Sequence, residues 1–72
     1  MSPLIELGQR FRDVAPGLFG RYRAEWIVEH LQIGTHGAEY ARLVGAFDPS
    51  VKKTLSVAVL SDRRRFARVS PG

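Results

Sequence analysis

The stretch Lys53-Thr54-Leu55-Ser56-Val57-Ala58-Val59-Leu60 constrains this chain more than any other. Leu55, Val57 and Val59 alternate with Thr54, Ser56 and Ala58, a period of two. That is the signature of a strand with one face in a core and the other near water. The β-branched content of the run agrees with it. A helix would scatter the three apolar residues around its axis. A strand over Lys53–Leu60 is therefore the reference to which the rest is fitted, with a 3₁₀ turn within Val57–Arg63 as the alternative that would shorten it.

Seventy-two residues make one domain, 1–72, with a barrel over about 8–69 and flexible ends at 1–3 and 70–72. A chain this short buries only about 60% of its unfolded surface, so stability is marginal. There is no cysteine, which excludes disulfide and thiolate-metal staples. The core must come from large side chains. The aromatics Phe11, Phe19, Tyr22, Trp26, Tyr40, Phe47 and Phe66 are spread along the chain, as if each element contributes a ring. No apolar run approaches the roughly 18 residues of a membrane span. Met1-Ser2-Pro3-Leu4 lacks the marks of a secretion signal, and a cytoplasmic location is the expectation.

Ser2-Pro3 suits a helix start, and Leu4, Leu7, Phe11 and Val14 fit a helical stripe. The rival is a short arm followed by a strand Gln9–Asp13, with Phe11 inward and Arg10 and Arg12 outward. Ala15-Pro16-Gly17 is a break, and Leu18–Ala24 a loop that lays Phe19 or Tyr22 on the core. Trp26–Ile33 is rich in β-formers, but Trp26 and Val28 share one face while Leu31 and Ile33 share the other. A bulge or bend near Glu29-His30 would return all four to one core. A helix Arg21–Ile33 is the alternative. Gly34-Thr35-His36-Gly37 reads as a hairpin loop and Glu39–Val44 as its return strand, with Ala41 and Leu43 on one face. Asp48-Pro49-Ser50 is a turn. Ser61-Asp62 ends the reference strand, and Arg65–Val69 supplies a last strand with Phe66 inward.

The expected fold is mainly β: a small, strongly bent antiparallel barrel of about five strands with a short N-terminal arm or helix. The spacing of Trp26-x-Val28, Tyr40-Ala41-Arg42-Leu43, Lys53-Thr54-Leu55-Ser56, Leu60 and Arg65-Phe66 resembles the SH3-like barrels of small uncharacterised bacterial proteins. The resemblance covers about residues 8–69 and implies a fold without implying an activity. Peptide-binding SH3 proteins group acidic and aromatic residues in a proline-binding groove, and this chain has no matching acidic cluster. A basic all-helical domain with helices at Pro3–Val14, Tyr22–Ile33 and Ala38–Phe47 is a further alternative.

The chemistry of catalysis is not legible. His30 and His36 are the only histidines and no third metal ligand has a place beside them. A Ser56, His30, Asp62 set lacks a nucleophile elbow. Glu25 and Glu29 read as a solvated face, and Gly34–Gly37 lacks the lysine of a phosphate loop. A barrel this small leaves little interior for a substrate. The expectation is a non-enzyme with no cofactor, no metal site and no catalytic residue.

Charge carries the functional content. The net charge is +4, and residues 41–72 hold seven basic against two acidic residues. The candidate anion- or nucleic-acid-binding residues are Arg63, Arg64, Arg65, Arg68, Arg42, Lys52, Lys53 and Tyr40. Arginine's planar fork suits phosphate and carboxylate, and tyrosine can stack on bases. Lys52-Lys53 and the Arg63–Arg65 run sit at opposite ends of the reference strand, roughly 25–30 Å apart if it is extended. They join only if the sheet bends, and otherwise Asp62 pairs with one arginine while the rest are solvated. Nucleic acid or an acidic protein surface is the expected partner, with the protein a monomer or weak homodimer. The alternative is an assembly module that uses an exposed strand edge such as Glu39–Val44.

Overall fold

The computed structural model describes residues 5–14 and 24–69. The readings made on Ser2-Pro3, on Ala15–Arg23 and on the last three residues lie outside them. Five strands run as β1 (Arg10–Asp13), β2 (Glu25–Ile33), β3 (Glu39–Gly45), β4 (Lys52–Ser56) and β5 (Phe66–Val69), with a single helical turn, α1 (Val57–Leu60), between the last two. They form one antiparallel sheet in the order β4-β3-β2-β1-β5, curled strongly into a half-barrel. Among the described residues no helix is long and apolar enough to cross a membrane.

The arm-and-strand reading of the N-terminus holds. Phe11 is buried and lies opposite Trp26, while Arg10 and Arg12 face outward opposite Ile27 and Glu25. Gly8 N–H and Gln9 O bond Val28 just before β1 begins, so the arm is tied to β2.

The bulge expected near Glu29-His30 is present. Val28 pairs with Leu43, but His30 pairs with Arg42, so one residue is inserted on β2. Because side chains alternate along a strand, this one residue flips everything after it. Trp26, Val28, Leu31 and Ile33 thereby share the inner face. The core holds the first two. Leu31 and Ile33 lie beyond it, with Ile33 71% exposed.

The reference strand is shorter than its alternation indicates. β4 stops at Ser56, whose hydroxyl accepts the Val59 N–H at 3.2 Å and caps a helical turn. The turn drops Leu60, 1% exposed, into the core beside Phe11 and Leu43, with Val57 and Val59 packed on its margin. Capping and the burial of Leu60 together override the β preference of Val57 and Val59. Asp62 then closes a tight turn, its carbonyl accepting the N–H groups of Arg65 and Phe66 at 2.9 and 3.0 Å.

Two expectations change. Glu39–Val44 is not an edge: β3 is paired on both sides, by β2 and β4, and the sheet ends at β4 and β5. Nor does every element bury its ring. Phe11, Trp26 and Phe66 are core, but Phe47 is 68% exposed because it sits in the β3–β4 turn beyond the sheet.

A candidate anion-binding face

The outer face of the sheet follows from the register. Arg10 lies across from Ile27, Ile27 from Val44, and Val44 from Lys52, which makes one row over four strands. Arg12 and Glu25 form the adjacent row. On the other side, beyond the bulge, His30, Arg42 and Thr54 form another, followed by Gln32, Tyr40 and Ser56. Strands about 4.8 Å apart therefore carry Arg10, Arg12, Arg42 and Lys52 on a common surface.

Two glutamates organise these cations. Glu25 receives Arg12 at 3.3 Å and Arg10 at 3.5 Å. Glu29, the bulged residue, receives Lys52 at 3.4 Å and Arg42 at 3.9 Å. Each carboxylate is shared by two cations, so one positive charge stays uncompensated at each. The cation side chains remain 41–53% exposed, within reach of a ligand. Tyr40 borders the face, its ring lying over Gly34 so closely that a Cβ there would meet Cε2 at 2.8 Å. Glycine at 34 leaves the room that the edge of the ring occupies.

The other sequence candidates are placed elsewhere. Lys53 is on the inner face, its Nζ 4.1 Å from the Trp26 ring centre and 5.5 Å from that of Phe66. The curl of the sheet thus brings β4 over the start of β5, and Lys53 lies across the gap between them. Arg64 and Arg65 surround Asp62 at 3.3 and 3.9 Å. Asp62 accepts the Arg64 N–H at 2.9 Å, and this bond, followed by the Arg64 side chain, holds its carboxyl below the ordinary range. It pairs with two arginines where one was expected. Arg63 and Arg68 line a cleft under β5.

Of the eight residues singled out by sequence, the structure thus groups Arg42, Lys52 and Tyr40, and separates Lys53 and the four C-terminal arginines from them. Arg10 and Arg12 complete the face. Their outward orientation was legible, but their position across two strands from Arg42 depends on the register and on the bulge. No protein-family model, curated protein or solved structure matches the chain.

Proposed function

We propose that this protein is a small, non-enzymatic SH3-like barrel that binds nucleic acid on its outer sheet face. The strand order β4-β3-β2-β1-β5, with one helical turn before β5, supports the barrel assignment. The observation that carries the function is the sharing of Glu25 and Glu29 by four cations. A ligand phosphate can replace half of each shared carboxylate interaction without stripping any cation of its partner. Arg10, Arg12 and Arg42 offer planar forks to phosphate oxygens, Lys52 offers a point charge, and Tyr40 offers a stacking surface at the margin. A face of this kind reads backbone charge and not base sequence.

Fluorescence anisotropy with mixed single-stranded oligonucleotides tests the proposal. Four phosphate contacts give a slope of log K against log salt of about −3 for a single strand. Arg42→Gln and Arg12→Gln each reduce that slope by about 0.7. Absence of binding at low salt would refute the proposal.

A second reading, self-association, rests on Leu31 and Ile33. They are 37% and 71% exposed on a segment of β2 that has a described neighbour strand on one side only, since its pairing with β1 ends at Ile27. Here binding tolerates salt. Sedimentation velocity would show a dimer that Ile33→Lys dissolves, and a monomer at high concentration refutes this reading.

A further inference from the structure

Among the described aromatic residues, Phe11, Trp26 and Phe66 are buried and Tyr40 is half-buried, while Phe47 in the β3–β4 turn is exposed. Val51, in the same turn, is 44% exposed. A lone apolar side chain on a surface is ordinary. Phe47 differs in how the turn holds it and in what lies beside it.

The turn is closed on itself and tied to the sheet. Gly45 N–H donates to Val51 O at 2.9 Å, and Val51 N–H to Asp48 O at 3.0 Å. The Asp48 carbonyl comes so near Gly45 that a Cβ there would meet its oxygen at 2.7 Å. Ala46 N–H donates to Glu25 O at 2.9 Å, which carries the β2–β3 ladder on to the row of Arg12 and Glu25. Phe47 follows at once. On the returning strand Val51 precedes Lys52, which lies across from Val44 in the row that also holds Arg10. The ring is thus mounted at one end of the cationic face on backbone that is already fixed, so a ligand spends little ordering entropy on it. Tyr40 stands toward the other end of β3, about 20 Å from Ala46 along the strand. Arg42 and Lys52 lie in the rows between.

We propose that the ligand of the outer face is an unpaired nucleic-acid strand, and that Phe47 stacks on one of its bases. This rests on the nucleic-acid reading of that face and names its substrate. The phosphates of the strand meet the guanidinium groups and the ammonium, and its bases reach a ring toward either end. A span of about 20 Å suits roughly four nucleotides, the short end of single-strand sites. Stacking needs a base with a free π-face, and a duplex keeps those faces inside its own stack. A phenyl ring offers a phosphate no donor, so it adds nothing to binding a duplex by its backbone.

The experiment is fluorescence anisotropy of the full chain at low salt with three probes: an oligothymidylate, an abasic strand of the same length, and a GC-rich hairpin duplex. Phe47→Ala should weaken the oligothymidylate about tenfold and leave the abasic strand and the hairpin within about twofold. The salt slope for the oligothymidylate should stay near about −3, because no phosphate contact is lost. Phe47→Trp should bind at least as tightly as the native chain. Phe47→Leu, which keeps apolar bulk without a π-face, should bind like Phe47→Ala. All three variants should keep the native melting temperature, since the position is exposed. Phe47→Leu binding as well as the native chain would overturn the proposal, as would equal weakening of all three probes by Phe47→Ala. If Phe47→Ala changes nothing while the oligothymidylate still binds with its salt slope, stacking is refuted and the outer-face reading stands. If none of the probes binds, both fall. Self-association that Phe47→Ala abolishes would assign the turn to a second copy of the chain and would also overturn the proposal.

Discussion

Glu29 organises the cationic face proposed to bind nucleic acid and, on that proposal, also restrains it; Glu29→Gln separates the two effects. A phosphate seated on the far side of Lys52 lies about 3 Å beyond the ammonium, and the ammonium is 3.4 Å from Glu29. With Arg42 the corresponding separation starts from 3.9 Å. Carboxylate and phosphate are then about 6–7 Å apart, and in water each such repulsion is about 0.6 kcal/mol. Two phosphates make it about 1.3 kcal/mol before screening. With a Debye length of about 30 Å at 10 mM salt, some four-fifths survives, and Glu29→Gln should tighten oligonucleotide binding about fivefold. At 100 mM the length is about 10 Å and the gain falls to about threefold. Stability should move the other way by less than about 1 kcal/mol, because both ion pairs are partly exposed. Anisotropy at the two salt concentrations, with urea unfolding in parallel, reads both quantities. Unchanged or weaker binding by Glu29→Gln at 10 mM salt would refute the reasoning, since it would mean that Arg42 and Lys52 do not face the ligand.

Three further perturbations probe the scaffold. Leu43→Ala removes a side chain that is 0% exposed at the centre of the sheet, and should cost about 2–5 kcal/mol in urea unfolding, a large part of what a domain this size has; a loss under 1 kcal/mol would contradict the core described. Gly37 has φ +81° with nothing within 4 Å of where a Cβ would project, so Gly37→Ala should cost about 1 kcal/mol through the backbone alone and Gly37→Asn less. The Asp48 carboxylate accepts the Ser50 hydroxyl at 2.6 Å and its N–H at 3.1 Å, and these bonds, the hydroxyl's first, hold its carboxyl below the ordinary aspartate range. A depressed folded-state value means the bonds support the β3–β4 turn above the unfolded value of about 3.9 and are lost as pH falls through the folded one. A carboxyl ¹³C titration should place its midpoint below that of the same group in the urea-unfolded chain, and a midpoint at or above it contradicts the assignment.

The places where sequence reading succeeded and stopped have separate physical causes. Alternation identified β3 and the first half of β4, because a two-residue period needs only neighbours along the chain, and it left β1 as one of two readings beside a helix. The bulge was also legible, since Trp26 with Val28 and Leu31 with Ile33 could share a core only if one residue was inserted. The end of β4 was legible only as an alternative, a turn within Val57–Arg63, because Val57 and Val59 continue the alternation while the capping Ser56 and the buried Leu60 impose a helical turn. Here a local hydrogen bond and a distant cavity to fill outweigh propensity. The site was harder still. Basic residues adjacent in sequence, Lys52 and Lys53, point to opposite faces as any strand requires. Arg10 and Arg42, far apart in sequence, share a face through pairings with β2 on either side of the inserted residue. The same inserted Glu29 that returns Leu31 to the inner face supplies the carboxylate between Arg42 and Lys52. Deleting it should therefore leave Val28 opposite Leu43 and His30 opposite Arg42 in a regular ladder, while removing the carboxylate that Arg42 and Lys52 share.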